Sequence, residues 1–142
     1  MIEHYEMVAK AIADGSRARI LKMLEGGELC VCQVTIALDL APATVSKHLS
    51  VLRLAGLVLT RKRGRWAYYR LADAVINPYA AGALQWTLES LEGDPMVVAD
   101  RAFLALLRRI PVERLCAEGP KLVDDLRSSM NQAQPADKVV TD

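Results

Sequence analysis

Histidine is nearly missing from this chain: His4 and His48 are the two in 142 residues, too few to build an imidazole metal site. Cysteine is almost as scarce, with three. An odd, small number argues against a structural disulfide framework and leaves thiols that pack, react or ligate. No apolar run approaches the roughly 18 residues that a membrane-spanning helix needs. The opening M-I-E-H-Y-E-M is neither a charged-then-apolar secretion signal nor an acid-free transit peptide, so the expected location is the cytoplasm. There is no G-x-S-x-G, no glycine-rich phosphate loop and no H-E-x-x-H, and no histidine stands close enough in sequence to activate a cysteine. The expectation is a binding or regulatory protein, not an enzyme.

Slightly over half of the residues are apolar, enough for one ordinary core with an extension. A formal net charge of +1 conceals an uneven distribution. Residues 40–72 hold seven basic side chains (Lys47, Arg53, Arg61, Lys62, Arg63, Arg65 and Arg70) and no acidic one, whereas residues 73–142 hold eleven acidic against seven basic. A run of this kind is either a solvated basic face or a phosphate-binding surface.

Periodicity organises the chain. Tyr5, Val8, Ala9 and Ile12 recur at helical spacing until Asp14-Gly15-Ser16, which breaks the helix and offers caps for the next. Ile20, Leu21 and Leu24 form the stripe of a second helix ended by Gly26-Gly27. A short third helix points Val34, Ala37 and Leu38 inward. Asp39-Leu40-Ala41 has room only for a tight turn, and Pro42 suits the first position of a fourth helix. Val45, Leu49 and Leu52 face its core, with Ala43, Ser46, Lys47 and Ser50 opposite, until Ala55-Gly56. The period then drops to about two, so residues 57–63 and 65–71 read as strands of a hairpin around Gly64, tipped by Arg61, Lys62, Arg63 and Arg65. Asn77-Pro78 opens a fifth helix carrying Leu84, Leu88 and Leu91.

A short-turn helix pair followed by a basic hairpin is a winged helix-turn-helix arrangement, so the expected fold class is mainly α (α+β). The wing is a two-stranded β-hairpin. The second helix of such a pair can enter a major groove, which places base-edge and backbone contacts on Ala43, Thr44, Ser46, Lys47, His48 and Ser50. The hairpin arginines and Lys62 add salt-dependent affinity. The first and fifth helices, through Tyr5, Val8, Ile12, Leu84, Leu88 and Leu91, form either a dimer interface or the closure of the monomer core. The expected organisation is a DNA-binding and dimerisation domain over residues 1–92 and a helical C-terminal extension over 93–130, followed by a disordered tail over 131–142. Within the extension, residues 96–110 and 121–130 read as separate helices.

The stretch E-L-C-V-C-Q, residues 28–33, holds two of the three cysteines. On the residues alone, Cys30 and Cys32 are small buried hydrophobes, a redox pair or a trap for a soft ion, since thiophilic ions prefer thiolate. Amides at the start of the third helix would favour thiolates there. Two positions apart at the start of a regular helix, their side chains diverge by about 200°. Capturing one ion with both should therefore unwind or shift the start of the third helix and so move the fourth, residues 42–54, in the groove.

Three motifs together resemble the ArsR/SmtB family of metal-responsive repressors: D-G-S-R-A-R-I-L-K-M-L at 14–24, T-V-S-K-H-L-S-V-L-R-L-A-G-L-V at 44–58 and R-K-R-G-R-W-A-Y-Y-R-L at 61–71. The E-L-C-V-C stretch is similar to the arsenite and antimonite site of the arsenical-resistance repressors in that family. The resemblance implies a homodimer that binds operator DNA when metal-free and releases it when As(III) or Sb(III) binds Cys30 and Cys32. Many members with this motif carry a further cysteine where this chain has Thr35. Cys116 is therefore either a third ligand from the extension or a buried structural residue. Alternatives are an organoarsenical, cadmium, lead or oxidation acting through the same cysteines, and a winged helix that binds protein instead of DNA.

Overall fold

The computed structural model describes residues 1–73 and 76–132. Helix α1 (Ile2–Ile12) gives way to α2 (Gly15–Glu25) at Asp14, whose carboxylate accepts the Arg17 N–H at 3.0 Å and caps α2. Ile20, Leu21 and Leu24 of α2 are buried at the centre of the core. After Gly26-Gly27 come a two-residue strand, β1 (Leu29–Cys30), and α3 (Val31–Leu38). Helix α3 ends at Asp39 in the left-handed conformation (φ 56°), which a short polar side chain tolerates. Three residues later Pro42 starts α4 (Pro42–Leu54). Val34, Ala37 and Leu38 of α3 meet Val45, Leu49 and Leu52 of α4 inside one hydrophobic cluster. This pair is the helix-turn-helix.

Strands β2 (Val58–Arg63) and β3 (Trp66–Leu71) form the wing, in register from Val58 opposite Leu71 to Arg63 opposite Trp66. Gly64, at φ 65°, takes the first central position of the two-residue turn, where a positive φ matches the strand twist. The sheet has a third member that sequence periodicity does not reveal: β1 pairs antiparallel with β3, Cys30 opposite Tyr68, giving the order β1-β3-β2. Helix α5 (Ala80–Ser90) begins two residues later than Asn77-Pro78 suggests. Those residues form a turn in which the Asn77 side chain accepts the Tyr79 N–H and donates to the His4 carbonyl, tying α5 to α1.

Helices α6 (Pro95–Leu107) and α7 (Val112–Gln132) make up the extension. The separate helix expected over 121–130 is instead the second half of α7, which starts at Val112 and continues through Pro120. Phe103, Leu104, Leu107, Leu115, Leu122 and Val123 join the same core cluster as α2, α3 and α4, and the extension packs directly on α2 and α3. Asn131 and Gln132 belong to α7, and the rest of the expected tail lies outside the described residues.

One buried charge ties α2 to the end of α5. The Lys22 ammonium, its side chain 1 % exposed, bonds Glu25 and Glu92 at 2.7 Å each and the Leu88 carbonyl at 2.9 Å. Burial lowers its pKa, and the two carboxylates more than offset this, for a net upward shift. Lys22→Met keeps the apolar stem and removes these bonds. Urea unfolding should show a loss of about 1–3 kcal/mol, the cost of hydrogen bonds to charged groups.

Candidate metalloid and nucleic-acid sites

The three cysteines converge at the joint between β1, α3 and α7. Cys30 ends β1 and caps α3 with an extended backbone (φ −73°, ψ 149°), so it is not on the helix. Its amide donates to Gln33 Oε1 at 2.8 Å, one half of a capping box whose other half is the Cys30 sulfur against the Gln33 amide. Cys32 lies in the first turn of α3, half-buried, and Cys116 in the first turns of α7. The three Sγ atoms lie within 4.8 Å of one another, the one such His/Cys/Asp/Glu group among the described residues. Cys32 and Cys116 are joined as a disulfide with their Cα atoms 5.4 Å apart, while Cys30 is a free, fully buried thiol. The redox pairing weighed for Cys30 and Cys32 is thus replaced by one across 84 residues.

Two expectations need correction. The 200° divergence presumes that both cysteines are helical. Because Cys30 precedes the helix, its sulfur already lies within 4.8 Å of the other two, and no unwinding is needed to turn it toward them. The amides of Cys32 and Val31 do draw the Cys30 pKa down, but burial is the larger influence and the net shift is upward, so this thiol is held protonated. Thr35 stands outside the cluster, its hydroxyl turned back to donate to the Val31 carbonyl at 2.7 Å.

Ala43, Thr44, Ser46, Lys47 and Ser50 are exposed along α4. Ala43, Thr44, Lys47 and His48 share a shallow concavity with Arg17. Sequence reasoning missed Arg17. Its guanidinium holds the Ala11 carbonyl at 2.8 Å and the Lys10 carbonyl at 2.9 Å, and reaches His48 Nδ1 at 3.2 Å. Arginine can only donate, so Nδ1 accepts and the ring proton is assigned to Nε2, which leaves that N–H as the donor for other partners. In the wing, Arg61, Lys62, Arg63 and Arg65 are all exposed. Arg61 is nonetheless engaged, its guanidinium forming a two-point pair with Glu28 at 2.7 and 2.8 Å, and Arg65 stacks over Trp66 at 5.5 Å. Folding thereby brings an acidic residue beside a segment that has none of its own.

The helices considered for dimerisation divide by exposure. Val8 and Leu84 are buried in the protomer's core, Ile12, Leu88 and Leu91 are half-buried, and Tyr5 is exposed, edge-on to Tyr79 at 5.8 Å. The large apolar side chains left exposed on α1 and α5 also include Ile2, Met7 and Trp86, which the helical spacing of apolar residues did not single out.

The family described as "Bacterial regulatory protein, arsR family" matches residues 14–60, from the α2 cap to the start of the wing. The chain is 39% identical over 98 residues to the Arsenic resistance transcriptional regulator ArsR1 of Pseudomonas putida, a match covering 66% of this chain and 77% of that relative. This chain belongs to the ArsR family. Another relative is the Arsenical resistance operon repressor of Escherichia coli, 48% identical over 67 residues that span 46% of this chain and 57% of the relative. Among solved structures, the homodimeric winged helix-turn-helix DNA-binding domain Mb0332 of Mycobacterium bovis is similar. It is 32% identical with a TM-score of 0.52, over 66% of this chain and 87% of that one. An ArsR-family transcriptional regulator with a winged-helix DNA-binding fold therefore carries a cysteine cluster at the first helix of its reading pair. No helix among the described residues is long and apolar enough to cross a membrane.

Proposed function

We propose that this ArsR-family regulator is a homodimeric repressor that holds operator DNA in its reduced, inducer-free form and releases it when As(III) or Sb(III) binds Cys30, Cys32 and Cys116. The observation that carries this reading is the convergence of three sulfurs within 4.8 Å on elements attached to both DNA-reading parts. Arsenous acid and three thiols exchange three As–O bonds for three As–S bonds, and each thiol proton leaves with a hydroxide as water. No electron transfer is involved. Because the protons leave in the exchange, the upward shift at Cys30 does not bar it.

Release follows from where the sulfurs are anchored. Cys32 sits on α3, which passes any displacement to α4 through a three-residue turn. Cys30 sits on β1, hydrogen-bonded to the wing strand β3. Cys116 adds α7, whose Arg127 also grips Asp39 in that turn at 3.1 Å. Drawing the three anchors onto one ion biases both reading elements at once. A coupling of about 1–3 kcal/mol, on the order of 5–150-fold in DNA affinity, is typical.

The test is fluorescence anisotropy of the reduced protein on the DNA upstream of its own gene, titrated with arsenite, antimonite, methylarsenite, cadmium and peroxide. Release by arsenite and antimonite supports the reading, and retention of DNA with both ends it. The joined Cys32 and Cys116 add a specific expectation. Without reductant the denatured chain should titrate one thiol and after reduction three, and arsenite should leave the unreduced complex intact.

Dimerisation is assigned to the outer faces of α1 and α5, around Tyr5, Ile12, Leu88 and Leu91, with Ile2, Met7 and Trp86 added. Val8 and Leu84 support those faces from within. Trp86→Glu combined with Tyr5→Glu should shift sedimentation to the monomer and weaken operator binding by about 10²–10⁴-fold as two-point attachment is lost.

A further inference from the structure

Arg17 stands where three helices meet. From the first turn of α2 its guanidinium donates to the Lys10 and Ala11 carbonyls at the end of α1, and to His48 Nδ1 on α4. The Asp14 carboxylate that caps α2 stands 4.0 Å from the same guanidinium. With Ala43, Thr44, Lys47 and His48, Arg17 lines a concavity of about 500 Å³ that has no acidic side chain in its wall. Val45, Leu49 and Leu52 turn one side of α4 into the core, and Lys47 projects from the opposite side. His48, half-buried, lies about 100° round the helix from Lys47, on the flank beside α2. When such a helix lies in a groove, its outermost face meets base edges and its flanks meet the sugar-phosphate rim.

We infer that this concavity seats one phosphodiester of the DNA backbone, bonded by His48 Nε2–H and Lys47, with Arg17 as the positioning residue behind His48. This rests on the operator-binding reading above and assigns one of its contacts. A phosphate oxygen accepts hydrogen bonds and donates none. With its proton on Nδ1, the ring would turn a lone pair on Nε2 toward that oxygen and repel it. Arg17 can only donate, so it occupies the Nδ1 lone pair and leaves the proton on Nε2. Because two α1 carbonyls fix the guanidinium, the ring is held from outside the reading helix. His48 therefore sets the register of α4 on the duplex and carries no sequence information. A neutral donor adds affinity without displacing a counterion, so this contact adds nothing to the salt dependence.

The experiment measures fluorescence anisotropy of reduced full-length protein on operator duplexes that carry one methylphosphonate, a neutral linkage, at each backbone position in turn. Wild type is compared with His48→Ala and with His48→Gln, whose side-chain amide presents an N–H near the place of Nε2–H. Circular dichroism and sedimentation verify fold and assembly. In wild type and His48→Gln, one position in each half-site should carry a penalty at least about tenfold larger than the same position carries in His48→Ala, the scale of a hydrogen bond to a charged group. His48→Ala should weaken operator and unrelated DNA by the same factor and leave the salt slope unchanged. Nitrogen-15 spectra of wild type should show the His48 proton on Nε2, the signal being identified by its loss in His48→Gln. In Arg17→Met that preference should disappear, and the His48-dependent penalty with it. A proton on Nδ1 in wild type, or an Arg17→Met variant that keeps the Nε2–H form, would overturn the positioning role. If no methylphosphonate penalty depends on His48, or if His48→Ala weakens the operator alone, the concavity does not seat a phosphate. Failure of wild type to bind the unmodified operator would instead remove the operator reading itself.

Discussion

Cys32→Ser should leave the reduced protein bound to its operator at any arsenite concentration that empties the wild-type complex. Cys32 is the one cysteine of the three carried on α3 itself, so its loss removes both a ligand and the direct attachment to the reading pair. Changing residues that merely orient metal ligands typically costs 10–100-fold in metal affinity. Losing a sulfur ligand should exceed this, raising the arsenite for half-release by more than about 100-fold. Operator affinity without inducer should stay within a factor of about two, because Cys32 is half-buried and surface-side substitutions seldom cost more than about 0.5 kcal/mol. Cys30→Ser is a matching control with its own logic: serine is a preferred cap and preserves the capping box with Gln33, so α3 should remain intact while the sulfur is lost. Cys116→Ser separates ligand from packing. A ligand role weakens induction with unchanged urea stability, whereas a packing role lowers stability and leaves induction alone. If the Cys30→Ser, Cys32→Ser double variant still releases DNA with arsenite, the inducer binds elsewhere.

The reading pair and wing were legible because long elements carry their period in sequence. The stripes Ile20-Leu21-Leu24 and Val45-Leu49-Leu52, the proline at the start of α4 and the glycine of the two-residue wing turn each point to one local structure. The site was less legible because its geometry is made by contacts distant in sequence. β1 is two residues long, too short for alternation to register, and exists because β3 offers it a free edge. That strand moves Cys30 off the helix and brings its sulfur to Cys32. Cys116 arrives from 84 residues away on a helix whose first half was concealed by Gly119-Pro120, a pair that reads as a break. The helix nevertheless runs on through Gly119, which lies against α3, where a Cβ would make ordinary contact 3.4 Å from Ile36 Cδ1. Lys22 sits beside an apolar stripe and gives no local sign that Glu92 will reach it. The link between Arg17 and His48 crosses 31 residues.

Operator affinity should fall steeply with salt. Each protomer presents Lys47, Lys62, Arg63 and Arg65 as exposed cations on the reading helix and wing, with Arg61 held back by Glu28. Two protomers engaging 6–10 phosphates would lose about 10³–10⁵ in affinity between 50 and 200 mM salt. The log–log slope follows at about −0.9 per neutralised phosphate. Lys62→Ala, present twice in a dimer, should flatten that slope by roughly two and weaken all DNA sequences alike. If the exposed Thr44 hydroxyl reads base edges, as the proposed interface requires, Thr44→Ala should leave the slope unchanged and relax preference among operator variants. Glu28→Gln provides a test of opposite sign. The Arg61 guanidinium holds the Glu28 carboxyl below its usual range, so this pair persists at neutral pH, and breaking it frees one more cation per wing for phosphate. The slope should then steepen by up to about two, and affinity for non-operator DNA should rise. A response that is flat in salt would exclude the α4 and wing surface as a DNA interface. The winged helix would then be one that binds a protein partner, and arsenite titrations on DNA would have no release to report.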